Sequence, residues 1–161
     1  MLRPVTTVCA ALAAFVLMAP SLWAADMTTR EGWDVRVTQK SYGDLIDAVR
    51  AAVKDRGFAV VTQAGPTKAA ANRGITIPGN RIIGVFNNDF AVRVLATSTA
   101  AMIEAPIRFY VTENEDGTAT LSYKTPATVL GPYLDEGGDA LARLAAELDG
   151  HFAAIASAAV K

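Results

Sequence analysis

The sequence predicts an α+β fold: one mostly antiparallel sheet covered on one side by two long amphipathic helices. Three observations carry this. Short runs at 33–38, 58–62, 81–86, 105–113 and 118–124 alternate, or run apolar, at strand length. Two longer segments, Ser41 to Gly57 and Asp139 to Ala159, repeat apolar residues every three or four positions. The last two strands are joined by the tight turn Asn114-Glu115-Asp116-Gly117, which makes them a hairpin. Helices on one face of such a sheet give a two-layer domain.

The elements follow in order. Trp33, Val35 and Val37 alternate with Asp34, Arg36 and Thr38, the pattern of a half-buried strand. Ser41 with Asp44 three residues on opens a helix in the manner of a capping box. Leu45, Ile46, Val49, Ala52 and Val53 form its apolar face, and Gly57 closes it. Phe58 to Thr62 is a continuous apolar strand, broken by Gly65-Pro66. Thr67 caps a short helix over 68–73, closed by Gly74, and Pro78-Gly79-Asn80 is a turn. Arg81 to Phe86 is the third strand. Asn87, Asn88 and Asp89 are natural caps for a short helix over 90–96.

In the hairpin, Ile107, Phe109 and Val111 oppose Arg108, Tyr110 and Thr112, while Ala119, Leu121 and Tyr123 oppose Thr120, Ser122 and Lys124. The stretch from Pro126 to Gly138 reads as irregular, and Asp139 caps the last helix. Leu141, Leu144, Leu148, Phe152, Ile155 and Ala159 form that helix's core stripe.

Residues 1–24 have the layout of a secretory signal peptide. Arg3 is a positive n-region, Val8 to Ala19 is apolar, and Pro20 and small residues around Ala24 follow. The run is too short for a spanning helix, so cleavage after Ala24 is expected, with export to a periplasm and no remaining membrane anchor. The expected mature part, residues 25–161, is a single domain. It has 14 basic and 16 acidic residues, because the leader carries only Arg3. That balance argues against a general nucleic-acid binder. Cys9 is the single cysteine and falls in the leader, and His151 is the single histidine. Thiol chemistry, zinc and copper sites and a Ser-His-Asp triad are therefore not expected, nor is any cofactor.

The frame Arg81-Ile82-x-Gly84-x-x-Asn87-x-x-x-Ala91-x-Arg93-x-Leu95 resembles the DUF302 family, small α+β domains of unknown function. Glu104 to Val111, Gly117 to Lys124, and Lys40-Ser41-Tyr42 leading through a helix to Gly57-Phe58 fit the same frame. The resemblance covers about Val35 to Ile155. It implies a TATA-binding-protein-like order of strand, helix, four strands and helix. Relatives often carry Cys-Asn-Pro or Gly-Asn-Pro where this chain has Phe86-Asn87-Asn88-Asp89, so a thiol role has no counterpart here.

Candidate site residues follow from chemistry. Arg36, Arg108 and Tyr110 lie opposite the aliphatic residues of their strands. Together with Arg81 and Arg93 they are expected to line a polar concavity suited to a carboxylate or phosphate. The helix start at Asn87-Asn88 offers free N–H groups to the same anion. The plainer readings are a helix capped by Asn88 or Asp89, a solvated sheet face, or a dimer interface. His151 borders the core stripe and reads as structural, and Asp135, Glu136 and Asp139 read as a solvated loop. The expected function is non-catalytic binding of a small anionic ligand or a periplasmic protein partner. The alternatives are a cofactor-independent enzyme using arginine and carboxylate chemistry, and a structural subunit of a homodimer.

Overall fold

The computed structural model describes residues 27–161. The leader assigned to residues 1–24 lies outside the described residues. The order is β1 (Trp33–Ser41), α1 (Tyr42–Asp55), β2 (Ala59–Ala64), α2 (Thr67–Ala71), β3 (Asn80–Phe86) and α3 (Asn88–Leu95). A 3-10 turn (Ala100–Glu104), β4 (Ile107–Glu113), β5 (Thr118–Lys124), α4 (Pro126–Leu130), a second 3-10 turn (Gly131–Tyr133) and α5 (Leu134–Ala159) complete it.

The five strands form one sheet in the order β1-β5-β4-β3-β2, and every neighbouring pair is antiparallel. α1 and α5 pack against one face. Leu45, Val49 and Val53 of α1 meet Leu141, Leu148, Phe152 and Ile155 of α5 in one core with Ile83, Phe109, Val111 and Leu121 from the sheet. Phe152 stacks on Phe109 with ring centroids 4.9 Å apart, which ties the last helix to the central strand. The stripe read from the sequence is buried throughout, since Leu141, Leu144, Leu148, Phe152, Ile155 and Ala159 all point inward. Ser41 caps α1 by accepting from the Asp44 N–H, as the capping box predicts.

Two expectations are corrected. The segment 126–138 is not an irregular loop. Thr125 accepts from the Thr128 N–H, and Pro126 sits at the first helical position, where its missing N–H costs nothing. Buried Leu130 then anchors α4 to the core. α5 begins early, at Leu134, and breaks at Gly138 with φ 54° and ψ −152°. Asp139 therefore begins the second, longer segment of that helix.

The second correction concerns β1. Arg36 lies beside Leu121 and Asp34 beside Tyr123, so the polar side of the β1 alternation faces the helices. Val35 and Val37 face the open side. The expectation assumed that aliphatic residues point to the core. Here three polar residues are satisfied inside: Arg36 by Asp34 and Ser157, Thr38 by the Ala119 carbonyl, and Asp34 also by Tyr123.

Candidate functional site

The residues expected to converge do not. Arg36 faces α5, where its guanidinium donates to both carboxylate oxygens of Asp34 (2.7 and 2.8 Å) and to Ser157 Oγ (2.6 Å). That guanidinium holds the Asp34 carboxyl below the usual carboxylate range. Burial, reinforced by the Asp34 carboxylate, pushes the Tyr123 phenol up. The cluster is a closed structural network at the sheet edge.

Arg81 lies opposite Val111, on the helix-facing side with Ile83 and Val85, and its Nε is buried without a partner. Arg93 on α3 makes a bidentate pair with Glu147 of α5 and covers the Phe90 ring at 5.0 Å. The helix-start anion site is also filled. Asn87, rather than Asn88 or Asp89, is the cap. Its Oδ1 accepts from the N–H groups of Asp89 (3.0 Å) and Phe90 (3.2 Å), and its Nδ2 donates to the Gly57 carbonyl. Asn88 is simply the first residue of α3. His151 sits between Phe58 and Phe90, 5.3 Å from each ring, as a packing residue. Glu136 is helical and accepts from Ser98 Oγ.

Arg108 and Tyr110 do share a site, with different companions. They lie on the sheet face opposite α1 and α5, in a concavity of about 300 Å3. Trp33, Asn80, Ile82, Ile107, Tyr123 and Lys124 line it from the strands, Glu104 from the 3-10 turn before β4, and Val129 from α4. The pairing register explains the assembly. Trp33 is opposite Lys124, and the register that sets Phe109 against Tyr123 places Arg108 beside Lys124 at the next position along. Tyr110 lies opposite Ile82, and its hydroxyl accepts from Asn80 Nδ2. Gly84 faces Arg108 across β3 and β4. A Cβ there would meet Thr62 Oγ1 and the Pro106 ring, so only glycine lets these elements approach beside the arginine.

Among the described residues neither Arg108 nor Lys124 forms an ion pair. The Lys124 ammonium lies 5.7 Å from the Trp33 ring centroid, and Arg30 covers the same ring at 5.4 Å. Glu104, which also lines the concavity, accepts from the Tyr133 hydroxyl. Two adjacent cations, two aromatic rings and an amide are the equipment for holding a negatively charged group. Lys124 was legible as an outward residue of its strand. Trp33 was not, because its alternation pointed it to the core side.

Among the described residues no group of three or more His, Cys, Asp or Glu side chains could hold a metal ion. No helix of the described residues is long and apolar enough to cross a membrane.

Comparison with known proteins agrees with this architecture. The crystal structure of an uncharacterized conserved DUF302 protein from Bacillus stearothermophilus superposes with a TM-score of 0.72 at 21% identity. The match covers 82% of this chain and 100% of that one. At that identity the likeness speaks for the fold alone. No curated protein matches the chain. The family profile described as "Domain of unknown function DUF302" matches residues 33–159, from the first residue of β1 to the last of α5. With the frame, the strand order and the solved neighbour in agreement over that whole span, the chain belongs to the DUF302 family.

Proposed function

We propose that this domain is a non-catalytic binding module that takes a small anion-bearing ligand on the open face of its sheet. The observation that carries the reading is the pairing of Arg108 and Lys124. Like charges on neighbouring strands repel, which disfavours the arrangement by a fraction of a kcal/mol up to about 1 kcal/mol unless something offsets it. An anion between the two groups offsets it, and Trp33 and Tyr110 supply apolar area for the rest of the ligand. The anion assignment read from the sequence is kept, and its place is moved from Arg36 and Asn87 to Trp33, Arg108, Tyr110 and Lys124.

The test uses two probes, orthophosphate and benzoate, with neutral benzamide as the control. Either anion is expected to shift the backbone NMR resonances of Trp33, Arg108, Tyr110 and Lys124. Arg108 is exposed, so Arg108→Ala should abolish the response and leave the denaturant midpoint nearly unchanged. No response to either anion, or a response indifferent to Arg108→Ala, overturns the reading. Export belongs to the same proposal: Arg3, the apolar run and Ala24 support a periplasmic location, where small anionic solutes are within reach.

A further inference from the structure

The open face of the sheet is dipolar along its strands. At one end stand Arg108 and Lys124, in the concavity described above. In the middle the register sets Val35, Tyr110 and Ile82 across the face, with Ser122 buried between Val35 and Tyr110. At the other end Val37, 69% exposed, borders a second concavity of about 230 Å3 that includes Glu115 and Asp116 of the hairpin turn and no cation. Strands rise about 3.3 Å per residue, so Arg108 and Glu115 are roughly 20 Å apart along the face.

A surface that is basic at one end and acidic at the other is complementary to itself. A two-fold axis lying in the interface plane, at right angles to the strands and passing near Tyr110, turns the second copy face to face with the first and lays the basic end of one over the acidic end of the other. This is the isologous contact of a C2 dimer. We propose that the open face pairs with a second copy of this chain, sheet against sheet, with Arg108 and Lys124 facing Glu115 and Asp116 of the other copy.

The size of the face bears on the strength. Five strands about 4.8 Å apart and about 23 Å long present roughly 550 Å2 per copy, or about 1,100 Å2 in all. That is just above the roughly 1,000 Å2 that a specific interface needs. The dimer is therefore reversible and concentration-dependent, and salt weakens it, because its register is set by exposed charges. The pairing goes beyond the anion reading and shares Arg108 and Lys124 with it.

Sedimentation velocity of the purified protein over a range of concentrations, at low and at high salt, tests the pairing. A monomer–dimer equilibrium that shifts toward monomer in high salt is expected. Val37→Lys places a positive charge on an already exposed position that faces the basic end of the other copy, and should raise the dimer dissociation constant at least tenfold. The same variant lies outside the basic concavity and should keep its response to orthophosphate and benzoate. Failure of the dimer is thereby separated from failure of the anion reading. Arg108→Glu and Glu115→Lys should each weaken the dimer, and the double variant should recover much of the loss. A monomer at every concentration up to about 1 mM overturns the proposal. So does a dimer indifferent to Val37→Lys and to salt, since another face would then hold it.

Discussion

Arg36 and Arg108 carry the same charge on two strands of one sheet, and they do different work because their strands present opposite sides to the helices. Arg36 is half-buried against α5, held by Asp34 and Ser157, while Arg108 stands in the open. The Asp34 network has a pH signature. Its folded carboxyl is held below the ordinary value of 3.8, first by the Arg36 hydrogen bond, so its contribution to stability is complete above that value. The contribution is lost as the pH falls through the folded value. Asp149 has the opposite sign: burial raises its carboxyl, partly opposed by the Ala127 N–H it accepts from, and protonation favours the folded form. Asp34→Asn isolates the first effect. The variant should unfold at lower denaturant than the wild type near pH 7, and the gap should narrow as the pH falls below about 4. Chemical denaturation at a series of pH values checks this; a gap that widens in acid would count against the network.

At the scale of elements, α5 holds the layers together. Leu148 and Phe152 lie where that helix crosses the core, and Leu148 also borders a small apolar cavity beneath α3. Leu148→Ala should cost about 2–5 kcal/mol, a large share of the roughly 5–15 kcal/mol that holds a typical domain. Val49→Ala on α1 should cost less, because fewer buried atoms are removed. Equilibrium unfolding in urea measures both, and an unchanged midpoint for Leu148→Ala would mean that the stripe is not buried. The break at Gly138 makes a second prediction. Its positive φ with ψ near −150° is a conformation that only glycine adopts readily. Gly138→Ala should destabilise by about 1–3 kcal/mol, although nothing lies within 4 Å of where the new Cβ would stand. A neutral or stabilising result in the same urea experiment would show that α5 tolerates straightening there.

Across the described residues the molecule is a one-sided sandwich: α1 and α5 cover one face of the sheet, and the other face carries the concavity with Arg108 and Lys124 at one end and a carboxylate turn at the other. That face belongs to the proposed export of the protein, since binding and pairing there would take place outside the cytoplasm. N-terminal sequencing of the exported protein should begin at Ala25 or Asp26. Recovery of the chain with Met1 intact in the membrane fraction would sink the export proposal. Arg108→Ala joins the scales, because a change at one exposed side chain should silence the face and spare the fold.

Much of the fold was legible in local pattern. The periods of α1 and α5, the cap at Ser41, the hairpin turn and the alternation of β4 and β5 are short-range signals, and each maps onto an observed element. The family frame was legible too, because its spaced residues lie within one continuous stretch. The helical stretch over 126–138 was hidden because proline and glycine read as breakers, although Pro126 at a helix start is no obstacle. The site was legible only in its chemistry. Alternation says that a strand has two faces and does not say which one the helices cover. On β1 that choice was made by Ser157, Tyr123 and the Ala119 carbonyl, distant groups that satisfy Arg36, Asp34 and Thr38 inside and leave Val35 and Val37 outside. Likewise no spacing in the sequence brings Trp33 to Lys124 and Arg108. Strand pairing does, since the hydrogen-bond register of β1 on β5 and of β5 on β4 fixes which side chains become neighbours.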